Sequence, residues 1–312
     1  MTAQPASARH TEDRHEGSAG LHALPPREVM ARLLSAQLDS LGALQFELPA
    51  LADAAARAAQ ALQAGGKLAY AGAGSSGLMA MADCLELAGT YGIAPARTPI
   101  LFAGGTASLS HMIGAVEDDP ELARADLATA ALGPSDAVIC VSASGRTPYT
   151  LVVAEGAQAA GASVIGIANV VGSPLLERAD IAIALETGAE LVSGSTRMAA
   201  GSAQKIALNM ISTQIGLLLG HVHDGYMVNL TADNAKLRAR ATGMVAAIAG
   251  TPPEVAAHAL DLAGGAVKPA VLIATGASPE LAQDLLAASG GHLAAALDRL
   301  KLKLEAAKAQ SI

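Results

Sequence analysis

Two short runs of glycine and hydroxyl residues carry the most chemistry in this sequence. The first, Gly72-Ala73-Gly74-Ser75-Ser76-Gly77, has Gly-x-Gly-x-x-Gly spacing between an apolar burst and a helical stretch. In that setting backbone N–H groups approach a phosphate closely. A dinucleotide site also needs a carboxylate at the end of the next strand to hold a ribose. That strand ends Leu101-Phe102-Ala103-Gly104-Gly105-Thr106, with no carboxylate, so the loop reads as a phosphate cradle, and Ser75 and Ser76 add hydroxyls suited to a phosphate monoester. The second run, Ser142-Ala143-Ser144-Gly145-Arg146-Thr147-Pro148, repeats the pattern. It has hydroxyls at Ser142, Ser144 and Thr147, Gly145 for close approach, and Pro148 at a helix N1 position. Either loop alone is explained as an ordinary helix cap. Together, at the carboxyl ends of parallel strands, they share the sheet edge where α/β folds bind ligands.

Several charged residues are candidates to work beside these loops. Glu86 interrupts an apolar helical stretch, 78–88; burial there would favour its protonated form, and the alternative is a residue facing solvent. Asp83, three residues earlier, shares its helical face and either tunes it by like charge or caps a local turn. Glu117 stands in an acidic run with Asp118, Asp119 and Glu121, which reads as a helix N-terminus with favourable dipole placement. Arg197 and Lys205 would contact a phosphate or carboxylate, from this chain or a neighbouring subunit, or else form ion pairs with Glu190 or Asp233. His221-Val222-His223-Asp224 shows no third ligand at metal-binding spacing and reads as a polar loop, so no metal is expected.

The elements that must position these residues are legible from apolar periodicity. Short apolar bursts at 67–71, 99–103, 137–141, 163–168 and 181–185 lack alternation, and helical stretches at 77–88, 121–131 and 148–160 lie between most of them. Strands buried on both faces and joined by helical crossovers predict an α/β fold, a doubly wound parallel sheet of five strands. Two long helices are expected over 27–64, after a flexible arm at 1–24. Beyond residue 193 the strand signals stop, and helices are expected at 202–219, 231–249, 253–264, 278–288 and 291–300, the last running into a charged, solvated end. The expected domains are thus an N-terminal arm, helices over 25–64, a phosphate-binding domain over 65–230 and a small helical module over 231–312. An exposed apolar face on the 202–219 helix would need a partner, either a second subunit or this chain's own tail.

Composition narrows the function classes. The 312 residues are 52% hydrophobic and 15% charged, which supplies a large core and argues against disorder. A formal charge of -8 and only 2% aromatic residues make nucleic acid a poor partner, since the surface repels phosphate backbones and offers few stacking platforms. Cys84 and Cys140 have no Cys-x-x-Cys spacing and read as buried thiols of a reducing compartment. With no apolar leader in 1–16 and no apolar run of membrane-spanning length, a cytoplasmic protein is expected.

The pair of loops, in this order and spacing, resembles a sugar isomerase (SIS) domain, a phosphosugar-binding fold. More narrowly, residues 11–237 resemble the N-acetylmuramic acid 6-phosphate etherases. The matching stretches are 71–77, 83–86 with Thr90-Tyr91-Gly92 behind them, Glu117-Asp118-Asp119, 142–149, and Gly194-Ser195-Thr196-Arg197-Met198 leading through 201–205 to 208–213. The last is the most specific, since no general phosphate-binding argument predicts it. The resemblance implies a lyase that cleaves the D-lactyl ether of N-acetylmuramic acid 6-phosphate without metal or redox cofactor, in cell-wall amino sugar recycling. It implies Glu86 as the acid that protonates departing lactate and Glu117 as the base at C2. Gly74, Ser75, Ser76, Ser142, Ser144, Gly145, Thr147, Ser195, Arg197 and Lys205 would hold the phosphosugar, in a homodimer with the site near the interface.

The sequence departs from that family where substrate charge would be met. Leu78 replaces the arginine after the first loop, Ala199 replaces the lysine after Arg197-Met198, and Leu87-Ala88-Gly89 replaces Cys-Pro-Pro. Each lost cation removes charge-assisted hydrogen bonds worth roughly 1.5 to 3 kcal/mol. Two other readings stay open: an SIS isomerase or lyase acting on a different phosphosugar, and a non-catalytic phosphosugar-binding regulator. A regulator needs neither acid nor base, so the presence of both glutamates argues against it.

Overall fold

A computed structural model describes Thr11, residues 13–230 and residues 235–310. The chain divides into two compact units, one of residues up to 86 with 94–214, the other of 87–93 with 215 onward.

The first unit opens with 3-10 turns at Glu16–Ser18 and Leu21–Ala23, within the expected arm. Ser18 Oγ donates to the Leu191 carbonyl at 2.7 Å. The expected helical pair follows as α1 (Pro26–Ser40) and α3 (Leu48–Gln63), with the one-turn α2 (Ala43–Phe46) between them. One face of α3 is nearly all alanine, with Ala54, Ala55, Ala58 and Ala61 fully buried. Such small side chains let the helix lie close against β1 (Leu68–Gly72), β3 (Ala137–Ser142) and β5 (Ile181–Ala184).

With β2 (Ile100–Phe102) and β4 (Ser163–Ala168), these strands form the five-stranded sheet predicted from the apolar bursts. Its order is β2-β1-β3-β4-β5 and every pairing is parallel. The intervening helices are α4 (Gly74–Tyr91), α5 (Ala107–Ser110), α6 (Pro120–Ala130), α7 (Pro148–Ala159) and α8 (Pro174–Arg178). On the face opposite α3, Ala69, Ala71, Val138, Cys140 and Val164 of the sheet pack with Ala123 of α6 and with Tyr149, Val153 and Ala157 of α7. Helices therefore cover both faces, as continuous apolar strands require. Both cysteines are free, and burial pushes each thiol up to about 12.

The long helix α9 (Ala199–Leu218) buries Ala200, Ala203, Ala207, Leu208 and Ile211. The apolar face that the sequence left in search of a partner is thus largely taken up within its own chain. Its N-terminus is capped by Glu190, 1% exposed, whose two oxygens accept the backbone N–H groups of Ala199 and Ala200 at 3.0 and 2.9 Å.

In the second unit, β6 (Val222–His223) and β7 (Tyr226–Met227) form an antiparallel hairpin. This corrects the expected polar loop. Asp224 and Gly225 both have positive φ, the Asp-Gly signature of a two-residue hairpin turn. Helices α10 (Ala235–Ala249), α11 (Pro253–Leu262), α12 (Val267–Ala274), α13 (Pro279–Ala288) and α14 (Leu293–Gln310) complete the unit around Met244, Val245, Leu260, Val271, Leu285 and Leu300. Helix α12 was not expected, because Pro269 reads as a breaker; in the first turn its missing N–H costs nothing. Lys268 Nζ donates to the Gly291 carbonyl at 2.9 Å, and burial pulls its pKa down to about 8. No helix among the described residues is long and apolar enough to cross a membrane.

Candidate active site

The sheet order reverses between β1 and β3, since the chain leaves β1 toward β2 on one side and β3 toward β4 on the other. Gly72 pairs with Val141 and Ser142 with Ala168, so the loops after β1 and β3 emerge side by side at the carboxyl edge. That reversal point is where open α/β sheets bind ligands. The first loop turns straight into α4, three residues earlier than the sequence suggested. A Cβ on Gly77 would lie 2.7 Å from the Gly72 carbonyl carbon and 2.7 Å from Phe102 Cδ2, so the first turn of α4 sits on the strand only because glycine stands there.

The two loops are hydrogen-bonded to each other. The backbone N–H of Ala143 donates to Ser76 Oγ at 3.2 Å. In the second loop, Ser142 Oγ and Thr147 Oγ1 are 2.8 Å apart, and Gly145 N–H donates to Ser142 Oγ at 3.1 Å. Arg146 N–H donates to Ser144 Oγ at 3.2 Å. These hydroxyls therefore shape the loop, and Thr147, at the N-cap of α7, makes no side-chain cap bond. The ordinary-cap reading fails for this loop. Ser76 and Ser142 are buried, while Gly74, Ser75, Ser144 and Thr147 are half-buried at the lip.

Glu117 joins this group. It lies in a 3-10 turn, Gly114–Asp118, and its carboxylate packs on Gly74: a Cβ there would come within 2.6 Å of Glu117 Oε1. Gly74 also has φ +54, so this turn demands glycine twice over. Burial pushes the Glu117 carboxyl above the ordinary value of 4.5, and the neighbouring Asp118 adds to the rise. The expected helix N-terminus belongs instead to Asp119, which caps α6 by accepting the N–H groups of Glu121 and Leu122. The acidic run thus divides between a helix cap and a carboxyl held at the first loop.

Glu86 is placed elsewhere. It lies twelve residues beyond Gly74 on α4, about 18 Å along the axis at 1.5 Å per residue, and it is exposed rather than buried. The apolar stretch around it misled the expectation because the outward face of α4 is itself apolar, with Leu85 64% exposed. Asp83, one turn earlier, is 4% exposed. It accepts hydrogen bonds from Tyr70 Oη at 3.0 Å, Asn209 Nδ2 at 2.7 Å and Ser212 Oγ at 2.9 Å. Burial pushes its pKa up, against the pull of those three donors, and Glu86 adds a smaller upward push. This network was missed as such; its signals were a tyrosine inside an apolar strand and Asn209 and Ser212 at i, i+3 in an apolar helix.

Ser195 and Arg197 lie in the turn before α9 and Lys205 within it. Ser195 is half-buried, while Arg197 and Lys205 are exposed. Among the described residues no hydrogen bond or ion pair joins these three to the β1 and β3 loops. Glu190, offered as their ion-pair partner, is occupied by the α9 cap, and Asp233 lies outside the described residues. No group of three His, Cys, Asp or Glu residues suited to a metal occurs among the described residues. In the second unit, burial and the nearby Lys268 lower the His221 pKa to about 4.

An all-parallel sheet whose reversal point carries two interlocked hydroxyl-rich loops defines an SIS-type α/β protein, and residues 36–169 match the SIS domain family. Over 285 residues the chain is 40% identical to the N-acetylmuramic acid 6-phosphate etherase of Deinococcus radiodurans, spanning 91% of this chain and 93% of that one. Its identity to the protein of that name is 39% in Rubrobacter xylanophilus, across 92% and 95% of the two chains. In Streptomyces coelicolor it is 41%, across 89% and 90%. A solved phosphoheptose isomerase from Francisella tularensis superposes with a TM-score of 0.48 at 18% identity, covering 62% of this chain and 98% of that one. The chain belongs to the N-acetylmuramic acid 6-phosphate etherase family.

Proposed function

We propose that this protein is a carbon–oxygen lyase that converts N-acetylmuramic acid 6-phosphate and water to N-acetylglucosamine 6-phosphate and D-lactate, in cell-wall amino sugar recycling. The observation that carries the reading is the Glu117 carboxyl held against Gly74, where the first phosphate-type loop begins, with its proton affinity raised by burial. The open-chain form of the sugar has an aldehyde at C1 that acidifies the C2 proton. Glu117 removes that proton, and a raised pKa makes it a stronger base at the same position. The C3–O bond to lactate then breaks while Glu86 protonates the departing oxygen. Water adds to C3 of the resulting enal, a proton returns to C2, and the acid and base roles are divided between two carboxyl groups in different environments. The chemistry needs no metal or redox cofactor.

The phosphate is received by the N–H groups at the starts of α4 and α7, with Gly74, Ser75, Ser76, Ser142, Ser144, Gly145 and Thr147 forming the cradle. Ser195, Arg197 and Lys205 supply further polar contacts to the sugar or its lactyl carboxylate. The protein works in the cytoplasm as a homodimer.

A second reading is favoured by Leu78 and Ala199, which stand where the family carries an arginine and a lysine: the substrate is a phosphosugar with a smaller or less charged substituent at C3. An assay of D-lactate release from N-acetylmuramic acid 6-phosphate, repeated with Leu78→Arg and Ala199→Lys, separates the two. Turnover by the unaltered chain supports the etherase reading. Turnover only after the cations are restored supports the second.

A further inference from the structure

The two loops of the candidate site carry a single cation, Arg146; no other lysine or arginine occurs in 72–78 or 142–148. Its side chain is exposed, and among the described residues the guanidinium has no hydrogen-bond or ion-pair partner. Other cations around the sheet are occupied. Arg57 donates to Ser163 Oγ at 2.6 Å, Lys67 Nζ to the Ala130 carbonyl at 2.6 Å and Arg97 Nε to the Gly66 carbonyl at 2.5 Å. Arg124 pairs with Glu121, and Arg178 with Glu155.

The fold gains nothing from a cation at this position. Arg146 stands two residues before Pro148, the first residue of α7, at the positive end of the helix dipole, where positive charge is unfavourable. The next carboxylate along the chain is Glu155, which Arg178 takes. The backbone that carries Arg146 is nevertheless held firmly. Its N–H donates to Ser144 Oγ at 3.2 Å, and Gly145 before it donates to Ser142 Oγ at 3.1 Å and accepts the Leu175 N–H at 3.0 Å. Gly145 has φ +63, and a side chain there would run into Ser173. A long unpaired cation on so fixed an anchor, beside two helix N-termini, is suited to an anion that arrives from outside.

The substrate of the etherase reading, on which this inference rests, has two anionic groups, the phosphate on C6 and the carboxylate of the lactyl group on C3. The phosphate takes the N–H groups and hydroxyls of the loops. The guanidinium lies exposed at the rim, and its planar fork matches a carboxylate through two parallel hydrogen bonds. Neighbouring strands lie about 4.8 Å apart, so a sugar that meets Glu117 at the first loop is within reach of an arginine on the second. We propose that Arg146 binds the lactyl carboxylate and thereby sets the preference of the site for an acidic ether.

The test compares a ligand that has the carboxylate with one that lacks it. D-lactate release from N-acetylmuramic acid 6-phosphate is measured for the wild type, Arg146→Ala and Arg146→Lys, and the Kd of N-acetylglucosamine 6-phosphate, which has no carboxylate, is read by calorimetry for each. Arg146→Ala should lower kcat/KM at least about tenfold, the loss expected for a charge-assisted hydrogen bond. Its Kd for N-acetylglucosamine 6-phosphate should stay within about threefold of the wild-type value, as for an exposed substitution that leaves the phosphate contacts in place. Arg146→Lys keeps the charge without the fork and should fall between the two. A Kd weakened as much as kcat/KM overturns the proposal, because Arg146 then serves the phosphate or the loop. An Arg146→Ala variant with wild-type kcat/KM overturns it as well. A wild type that binds N-acetylglucosamine 6-phosphate but releases no lactate removes the etherase reading and this proposal with it, and that outcome is seen before any variant is made.

Discussion

Ser76 Oγ accepts the backbone N–H of Ala143 at 3.2 Å, so the loops after β1 and β3 form one hydrogen-bonded structure. A ligand seated at the reversal of strand order meets two helix N-termini whose spacing is fixed by this bond. Replacing Ser76 by alanine leaves a buried N–H without its acceptor. The expected cost is about 1 to 3 kcal/mol in urea unfolding, with a rise in KM larger than the fall in kcat, because the cradle loosens while the carboxyl groups are untouched.

Gly74→Ala should damage activity more than stability. The new methyl group would lie 2.6 Å from Glu117 Oε1, on a backbone with φ +54. The strain alone is expected to cost about 1 kcal/mol in thermal or chemical unfolding. Displacing the Glu117 carboxyl should lower kcat by at least about tenfold, since a base moved from its working position loses much of its catalytic contribution. A variant that is destabilised but retains full kcat would separate Glu117 from the chemistry.

The raised pKa of Glu117 predicts two pH dependences. As a base it must be ionised, so kcat should climb with pH through a value above the ordinary 4.5. For stability, a carboxyl whose folded pKa lies above its unfolded one binds more protons in the folded state between the two values. The wild type therefore loses stability as pH rises from the unfolded pKa through the folded one, and the loss levels off above that. Glu117→Gln removes this slope. Thermal midpoints of variant and wild type, measured in parallel from acid to neutral pH, should diverge in favour of the variant as pH rises.

Asp83 and Glu86 lie one helical turn apart and should respond in opposite ways. Asp83→Ala removes the acceptor of Tyr70 Oη, Asn209 Nδ2 and Ser212 Oγ, of which Ser212 keeps a second acceptor in the Asn209 carbonyl at 3.3 Å, and is expected to cost about 3 kcal/mol. Glu86→Gln changes an exposed side chain and should stay within about 0.5 kcal/mol of the wild type while abolishing turnover. Equilibrium denaturation of both variants, beside their lactate release, checks the contrast.

The sheet was legible because each strand is a short apolar burst bounded by turn residues, and 163–168 and 137–141 fall on β4 and β3 almost to the residue. Helix α12 and the 222–227 hairpin were not, since Pro269 and a two-residue strand pair give almost no periodic signal. For the candidate site, residue types and spacing pointed to the two loops, while Glu86 and Glu117 drew attention chiefly through the family resemblance. What spacing could not convey was burial. Glu86 interrupts an apolar run that turned out to include an exposed apolar face, and Glu117 leaves an acidic run to pack on a glycine 43 positions earlier.

The central claim is that this chain removes a proton from C2 and expels lactate from C3, and incubation with N-acetylmuramic acid 6-phosphate in deuterium oxide tests it most directly. The account predicts D-lactate release together with one deuterium at C2 of the N-acetylglucosamine 6-phosphate formed, read by mass spectrometry. For Glu86→Gln it predicts deuterium exchange into unconsumed substrate with little lactate. Lactate released without deuterium at C2, or neither lactate nor exchange from the wild type, would contradict it.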